Sequence, residues 1–259
     1  MNRRRLHRPI LIDIETHVEP ALKFVPPQSS SNQILAALPA HEYGLLAASM
    51  TECELQAGQV LQSLHQSASS VWFPNSGLIS LRAEITPGTG LEVALIGNDG
   101  VAGIAATDTP LRSPLSAMVQ IGGVAMRIDV DHFHALSTTM PVLKKLLCDA
   151  TEKLLLQTAQ SAVCSHYHLL EARLARMLLL IRRSVAMDEF HLTHEFISHA
   201  LGVRRVGVTK AATSLQMQQL IRYSRGAISI IDVAGLAQAA CPCYRSDPVM
   251  LQSKPTKKK

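Results

Sequence analysis

The sequence predicts an α+β chain: an antiparallel β sandwich or barrel in the N-terminal half, then a long helix, then a winged helix-turn-helix. Three observations predict it. Between Glu52 and Ile128, glycines recur at 58, 77, 88, 90, 97, 100, 103, 122 and 123, with short apolar or alternating runs between them. That is the spacing of strands and turns in a sandwich or barrel. From Pro141 onward, apolar residues repeat at steps of three and four, a helical period. From Phe190, a short helical pattern stops at Gly202, restarts at once, and gives way to two β-prone runs around Ser224, Arg225 and Gly226.

Residues 1–31 are mixed in character and run into "PPQSSSN", so they read as a flexible leader. Asn32 is placed to cap a helix over "QILAALP", and "HEYGLLAASM" continues the helical period to Met50. The runs "QVLQSL", "SVWFP", "GLISLRAEI", "LEVALIG", "AMVQIGG" and "VAMRID" are then the strands of this sandwich or barrel. They do not alternate with long helices, which argues against a parallel α/β sheet. Pro141 suits a first helical turn, and Leu143, Leu146, Leu147, Ala150 and Leu154 form the inward stripe after it. "SAVCSHYH" is expected to interrupt this helix before Leu170, Leu174, Met177, Leu178 and Ile181 resume the stripe. So long a stripe exceeds what one small β domain covers, so part of it is expected to pack on a second copy of the chain.

In the last third, Thr193 is the expected N-cap of a helix that turns Phe196, Ile197, Ala200 and Leu201 inward. Gly202 is expected to end it in the left-handed conformation. The next helix puts Val208, Ala211, Ala212 and Leu215 on one face. Its opposite face carries Arg205, Val206, Thr209, Lys210 and Thr213. A hairpin follows with Arg225 and Gly226 at its tip, and Asp232 caps a closing helix.

Charge divides along the chain. Residues 32–150 hold 5 Lys/Arg against 10 Asp/Glu, a net of −5, whereas residues 190–240 hold 5 against 2, a net of +3. Residues 241–259 hold 5 against 1, a further +4. An acidic front and a basic back point to two domains, the second facing a polyanion. No apolar run approaches the roughly 20 residues of a membrane span, so no membrane partner is expected. The start lacks the apolar core of a secretory signal. Five scattered cysteines suit a reducing cytoplasm.

Catalysis is not expected. "HEFISH" places His194 and His199 five residues apart, about 140° around a helix, so they cannot share a metal as a zinc-protease pair does. Gly-x-Ser-x-Gly, Walker and dinucleotide fingerprints are absent from the sequence. Cys241 and Cys243 in "CPC" are one thiol short of a cluster without distant partners. A redox or metal-sensing thiol pair is one alternative, and His132 with His134, or His166 with His168, could ligate a haem or a metal. Hinge or surface histidines are the more common case, so no metal and no cofactor is expected.

From Asn32 to Tyr244 the chain resembles the Crp/Fnr superfamily of bacterial transcription regulators. Its most specific part is "LTHEFISHALGVRRVGVTKAATSLQMQQLIRYSRGAISIID". "VWFPNSGLISL" and "LEVALIGNDGVAG" are similar to the family's β-roll, and "QTAQSAVCSHYHLLEARLARMLL" to its dimer helix and exit. The resemblance implies a flexible leader over 1–31, a β-roll sensor domain over 32–140, a dimerisation helix over 141–167, a DNA-binding domain over 168–244 and a basic tail over 245–259. The implied partners are duplex DNA with a near-palindromic operator, a second copy of the chain, RNA polymerase and a small-molecule effector. Two recognition helices would enter successive major grooves, roughly 34 Å apart. DNA contacts are expected from Thr193, Arg204, Arg205, Val206, Thr209, Lys210, Arg222 and Arg225, with Arg205 reading a guanine. The others hold phosphates or base edges. An effector pocket is expected around Gly97, Gly100, Val101, Leu115 and Ser116. The family's cyclic-nucleotide glutamate and arginine fall on Val101 and near Leu115, which speaks against cyclic AMP. Val206 replaces a family glutamate, so the usual operators are not implied. Cluster-bearing members use N-terminal cysteines, and residues 1–50 have none. The competing expectation is an interaction module that does not bind specific DNA.

Overall fold

The structure, a computed structural model, describes residues 31–86, 89–103, 113 and 115–245. The leader before Ser31, the tail beyond Arg245 and Arg112 lie outside the described residues. Two short helices, α1 (Gln33–Ala36) and α2 (Ala40–Ala47), lead into seven strands. These are β1 (Thr51–Leu55), β2 (Val60–Gln62), β3 (Ser70–Pro74), β4 (Leu78–Thr86), β5 (Thr89–Ile96), β6 (Leu115–Ile121) and β7 (Gly123–Asp129). They pair antiparallel in two sheets, ordered β1-β7-β3 and β2-β6-β4-β5. The β sandwich expected from the glycine spacing is therefore present, in the antiparallel, jelly-roll-like β-roll form that the resemblance implies.

Side chains alternate across a strand, and β3 shows what that does here. All five of its residues are buried. Trp72 faces the interior of the roll with Ile79, Ile96 and Val119. Val71 and Phe73 face the other way, onto a cluster with Leu35, Tyr43, Leu46 and Phe133. Asn32 seats α1 against this cluster. Its Oδ1 accepts from the Ile34 and Leu35 amides, and its Nδ2 donates to the Pro74 and Gly100 carbonyls at 2.9 and 3.0 Å.

After α3 (Val130–Ser137), the long helix α4 (Pro141–Tyr167) runs for 27 residues, about 40 Å. Pro141 lies in its first turn as expected, but the cap comes from far away. The buried Glu42 carboxylate accepts from the Val142 and Leu143 amides at 3.1 and 2.8 Å. The expected interruption at "SAVCSHYH" is corrected: residues 161–167 are helical, and only His168 and Leu169 are extended. Ser161 and Ser165 return their hydroxyls to the carbonyls of Gln157 and Ala162, and Cys164 is buried against Cys241. Burial of Cys164 against Cys241 is the tertiary contact that offsets the weak helix propensity of the segment.

Helix α5 (Leu170–Val185) opens the C-terminal domain, followed by β8 (Glu189–His191), α6 (His194–Leu201), α7 (Arg205–Met217), β9 (Ile221–Ser224), β10 (Ala227–Ile230) and α8 (Val233–Ala239). The strands form one small sheet, β8-β10-β9. Leu174, Leu178 and Ile181 of α5 sit in the core of this domain with Val208, Leu215 and Leu236. The same cluster takes in Leu78 and Ile121 of the roll. Among the described residues, no helix is long and apolar enough to cross a membrane.

Candidate nucleic-acid interface

Helix α6 starts where the Thr193 hydroxyl oxygen accepts from the Phe196 amide at 3.0 Å. It stops at Gly202, whose φ of 63° and ψ of 40° are left-handed, a conformation that costs a residue with a Cβ about 1–2 kcal/mol. Two residues later α7 begins, crossing α6 as the second helix of a helix-turn-helix. Its buried stripe is Val208, Ala211, Ala212 and Leu215. Arg205, Val206, Thr209, Lys210 and Thr213 are all exposed on the other side, as is Arg204 at the N-cap. The exposed face extends to Met217, which is 79% exposed and which the sequence pattern did not single out.

The hairpin of β9 and β10 turns on Arg225 and Gly226, with φ of 50° and 86°, the two positive values of a type I′ turn. A Cβ on Gly226 would lie 2.5 Å from His191 Nε2, so a side chain there would displace that ring as well as adopt a strained positive φ. Between this wing and α7 lies a groove of about 470 Å³ lined by Thr193, Thr209, Thr213, Tyr223 and Arg225 among others. Burial pushes the Tyr223 phenol up to about 12, and its hydroxyl donates to the Leu192 carbonyl at 3.1 Å. Arg222 is not brought into the groove. It neighbours Tyr223 on β9, and adjacent side chains in a strand point to opposite faces.

Arg205 is held at the mouth of α7 by an ion pair with Glu195 of α6, at 2.9 Å. Both side chains are about 60% exposed, at 63% and 60%, so the pair contributes no more than ~1 kcal/mol. The two histidines of α6 face different elements: His194 stacks edge-on against Tyr223 with centroids 4.8 Å apart, while His199 Nδ1 lies 3.5 Å from Arg82 Nη2 of the roll.

Of the five residues expected at an effector pocket, Gly100 and Val101 line one cavity of about 20 Å³, and Gly97, Leu115 and Ser116 are not among the residues lining it. Val101 is 2% exposed in the core cluster of Phe73 and Met126. Gly97 is the point where the roll touches α5, since a Cβ there would lie 2.6 Å from Ser184 Cβ. Gly100 closes the same turn through its amide to the Gly97 carbonyl, at 3.1 Å. Leu115 and Ser116 pair with Ala83 and Arg82, whereas Ile96, just before Gly97, pairs with Ile79. The β4 residues opposite Ile96 and Leu115 are four apart, roughly 13 Å along the strand. Ser116 donates to the Glu84 carboxylate. Two cavities between the roll and the helices measure about 60 and about 20 Å³, against the several hundred Å³ of an ordinary ligand pocket.

The larger of these cavities marks a polar junction between the roll and the DNA-binding half, lined by Glu92, Arg176 and Leu201 among others. Glu92 is paired across the sheet with Arg82, and both are buried. Burial holds the Glu92 carboxyl well above the usual carboxylate range, against the opposing pull of the Ser80 hydroxyl and Arg82. A carboxyl raised on folding contributes its stability in full below its unfolded value of about 4.3, and loses it as pH rises through the folded value. Glu92→Gln removes the titration. Its melting midpoint should therefore match or trail that of the parent at pH 4.5 and gain on it steadily toward pH 8. A difference constant across that range would contradict the assignment.

Cys241 and Cys243 are also not an isolated pair. Cys164 of α4 and His168, which caps it, stand beside them, so the fold supplies the distant partners that the two thiols alone lacked. Burial and the adjacent Cys164 push the Cys241 thiol up to about 12. A sequence separation of 77 residues between Cys164 and Cys241 left no local signal of the contact.

Residues 172–239 match the family model of the Crp-like helix-turn-helix domain. Solved structures share the fold across most of the chain. A transcriptional regulator of the Crp/Fnr family from Eubacterium rectale is 14% identical, with a TM-score of 0.60 over 81% of this chain and 98% of its own. FixK2 from Bradyrhizobium japonicum is 15% identical, with a TM-score of 0.63 over 74% and 98%. The c-di-GMP responsive regulator CLP of Xanthomonas campestris is 14% identical, with a TM-score of 0.61 over 74% and 99%. No curated protein matches the chain in sequence.

Proposed function

We propose that this chain, which has the fold of Crp/Fnr regulators and carries a Crp-like helix-turn-helix, is a homodimeric, sequence-specific DNA-binding transcription regulator of the cytoplasm. The observation that carries the reading is the exposed face of α7. Arg204, Arg205, Val206, Thr209, Lys210 and Thr213 stand together on it, beside a groove that Arg225 closes from the wing. An α-helix fits the major groove of B-DNA, and arginine can fork onto the O6 and N7 atoms of guanine. Arg204, Lys210 and Arg225 are suited to phosphates, which fix register without reading sequence.

The outward side of α4 supports a dimer. Leu156, Val163 and Tyr167 are 43%, 47% and 75% exposed. With Ala159 they follow steps of i, i+3, i+7 and i+11, a single line along the helix. Five free cysteines suit a reducing compartment. In this reading the β-roll is the sensor domain and α4 and α5 transmit its state. That requires a signal with different affinities for two arrangements of the helices. The burial of Val101 in the core supports the reading that cyclic AMP is not the signal.

The test is selection from a pool of random duplexes. A near-palindrome with half-sites one helical turn apart should be enriched, and affinity should fall steeply with salt, with a log–log slope of roughly −5 to −9 if 6–10 phosphates are neutralised. Retention of no preferred sequence at low salt, or binding indifferent to salt, would leave the basic face to an interaction module instead.

A further inference from the structure

We propose that Cys164, His168, Cys241 and Cys243 form a tetrahedral site for one zinc-class divalent cation at the hinge between the long helix and the helix-turn-helix domain. Cys164 lies on the last turn of α4 and His168 is the residue that caps it, its amide donating to the Cys164 carbonyl at 3.2 Å, which holds the two close together. Cys241 and Cys243 flank Pro242 just after α8. One donor atom from each of the four lies within 4.8 Å of all the others. Cys164 Sγ is 3.8 Å from Cys241 Sγ, and Cys243 Sγ is 3.7 Å from His168 Nδ1. A zinc ion with Zn–S near 2.3 Å and Zn–N near 2.0–2.1 Å sets its tetrahedral donors roughly 3.5–3.8 Å apart. Two edges of that tetrahedron are therefore already formed. An iron–sulfur cluster puts several atoms between its thiolates and needs them farther apart.

Two surrounding groups suit the charge and geometry of such a site. Three thiolates and a neutral imidazole around a divalent ion carry one net negative charge. Arg176 is 6% exposed, and its Nε and one terminal nitrogen have no hydrogen-bond partner among the described residues. Its positive charge acts on both Cys241 and Cys243. An unpaired buried guanidinium is costly, and an anionic metal centre beside it relieves that cost. Gln160 Nε2 donates to Cys243 Sγ at 2.8 Å, the kind of outer hydrogen bond that orients a metal ligand. On uptake each of the three thiols passes its proton to solvent, so binding releases protons.

The bound ion would tie the end of α4 to the segment after α8, across the extended residues His168 and Leu169. It would thereby fix the angle between α4 and the helix-turn-helix. This consequence for DNA rests on the function proposed above, whereas the site does not.

The test uses the full-length protein, reduced and stripped with chelator, then titrated with cobalt(II) and afterwards zinc. One equivalent of cobalt should give thiolate-to-metal charge transfer and the intense ligand-field bands of tetrahedral cobalt, and zinc should abolish both. Zinc should also raise the melting midpoint of the stripped protein. Cys243→Ser and His168→Ala, each with unchanged far-UV circular dichroism, should weaken cobalt binding by more than the roughly 10–100-fold that outer-shell changes cost. Cys148→Ser, on the exposed face of α4, should leave the spectrum intact. No binding, a weak octahedral spectrum, or a tetrahedral spectrum unchanged in both Cys164→Ser and Cys243→Ser would overturn the site. A cobalt spectrum obtained while no duplex is ever selected would support the site and count against the DNA reading alone.

Discussion

Leu156→Glu should leave the protein folded and monomeric, and should weaken binding to a two-half-site operator by about 10²–10⁴-fold, the avidity that tethering a second module confers. Helix α4 divides its labour between two sides. Leu143 and Ala150 are buried in the cluster under the roll, and Thr158 reaches the Val93 carbonyl at 3.3 Å. Leu156, Val163 and Tyr167 face away from all of this. A glutamate at 156 meets no partner within its own chain, so the fold is spared. Across a two-fold axis it would face its own copy, and two carboxylates in an apolar seam repel and lose hydration. Sedimentation velocity measures the first effect. Anisotropy on full and half-site duplexes measures the second, with half-site affinity expected to stay near the parent's. A variant that remains dimeric would move the seam elsewhere.

Arg205→Ala should lower affinity for the selected operator by about 5–150-fold, matching ~1–3 kcal/mol for a forked contact to guanine. It should also erase preference at one base position in each half-site. The pair with Glu195 sharpens the expectation. Because that pair is exposed and weak, DNA can displace it, and Glu195→Gln should change affinity by less than about 5-fold. Arg204→Ala and Lys210→Ala should behave differently, weakening all sequences alike and flattening the salt slope by about one unit each. Loss of affinity without a change in preference for Arg205→Ala would make it another phosphate contact.

Much of the fold was legible because local chemistry dictated it. Thr193, Gly202 and the Arg225–Gly226 tip each solve a backbone problem within four residues of themselves, and the sequence pattern identified all three. The β-roll was legible for a related reason, since glycine spacing and side-chain alternation are local. What escaped was set by partners remote in the chain. Glu42 caps a helix a hundred residues away, and nothing near Glu42 or Pro141 announces it. Residues 161–167 read as a break because their propensities are poor, and tertiary contacts kept them helical. Arg222 stands beside Tyr223 on β9, and it is Tyr223 that lines the groove, an alternation that charge alone does not signal. The thiols at 241 and 243 needed Cys164 and His168, which only the folded chain supplies.

The cluster that joins Leu78 and Ile121 of the roll to Leu174, Leu178 and Ile181 of α5 bears on how the molecule comes apart. Independent domains exchange polar, loosely fitted surfaces, and each can melt alone. Here Leu78 and Ile121 are buried with α5 and not with the two clusters of the roll's own core, so parting the halves exposes apolar surface on both. The DNA-binding half separated from the roll would carry a sticky bare patch into solution.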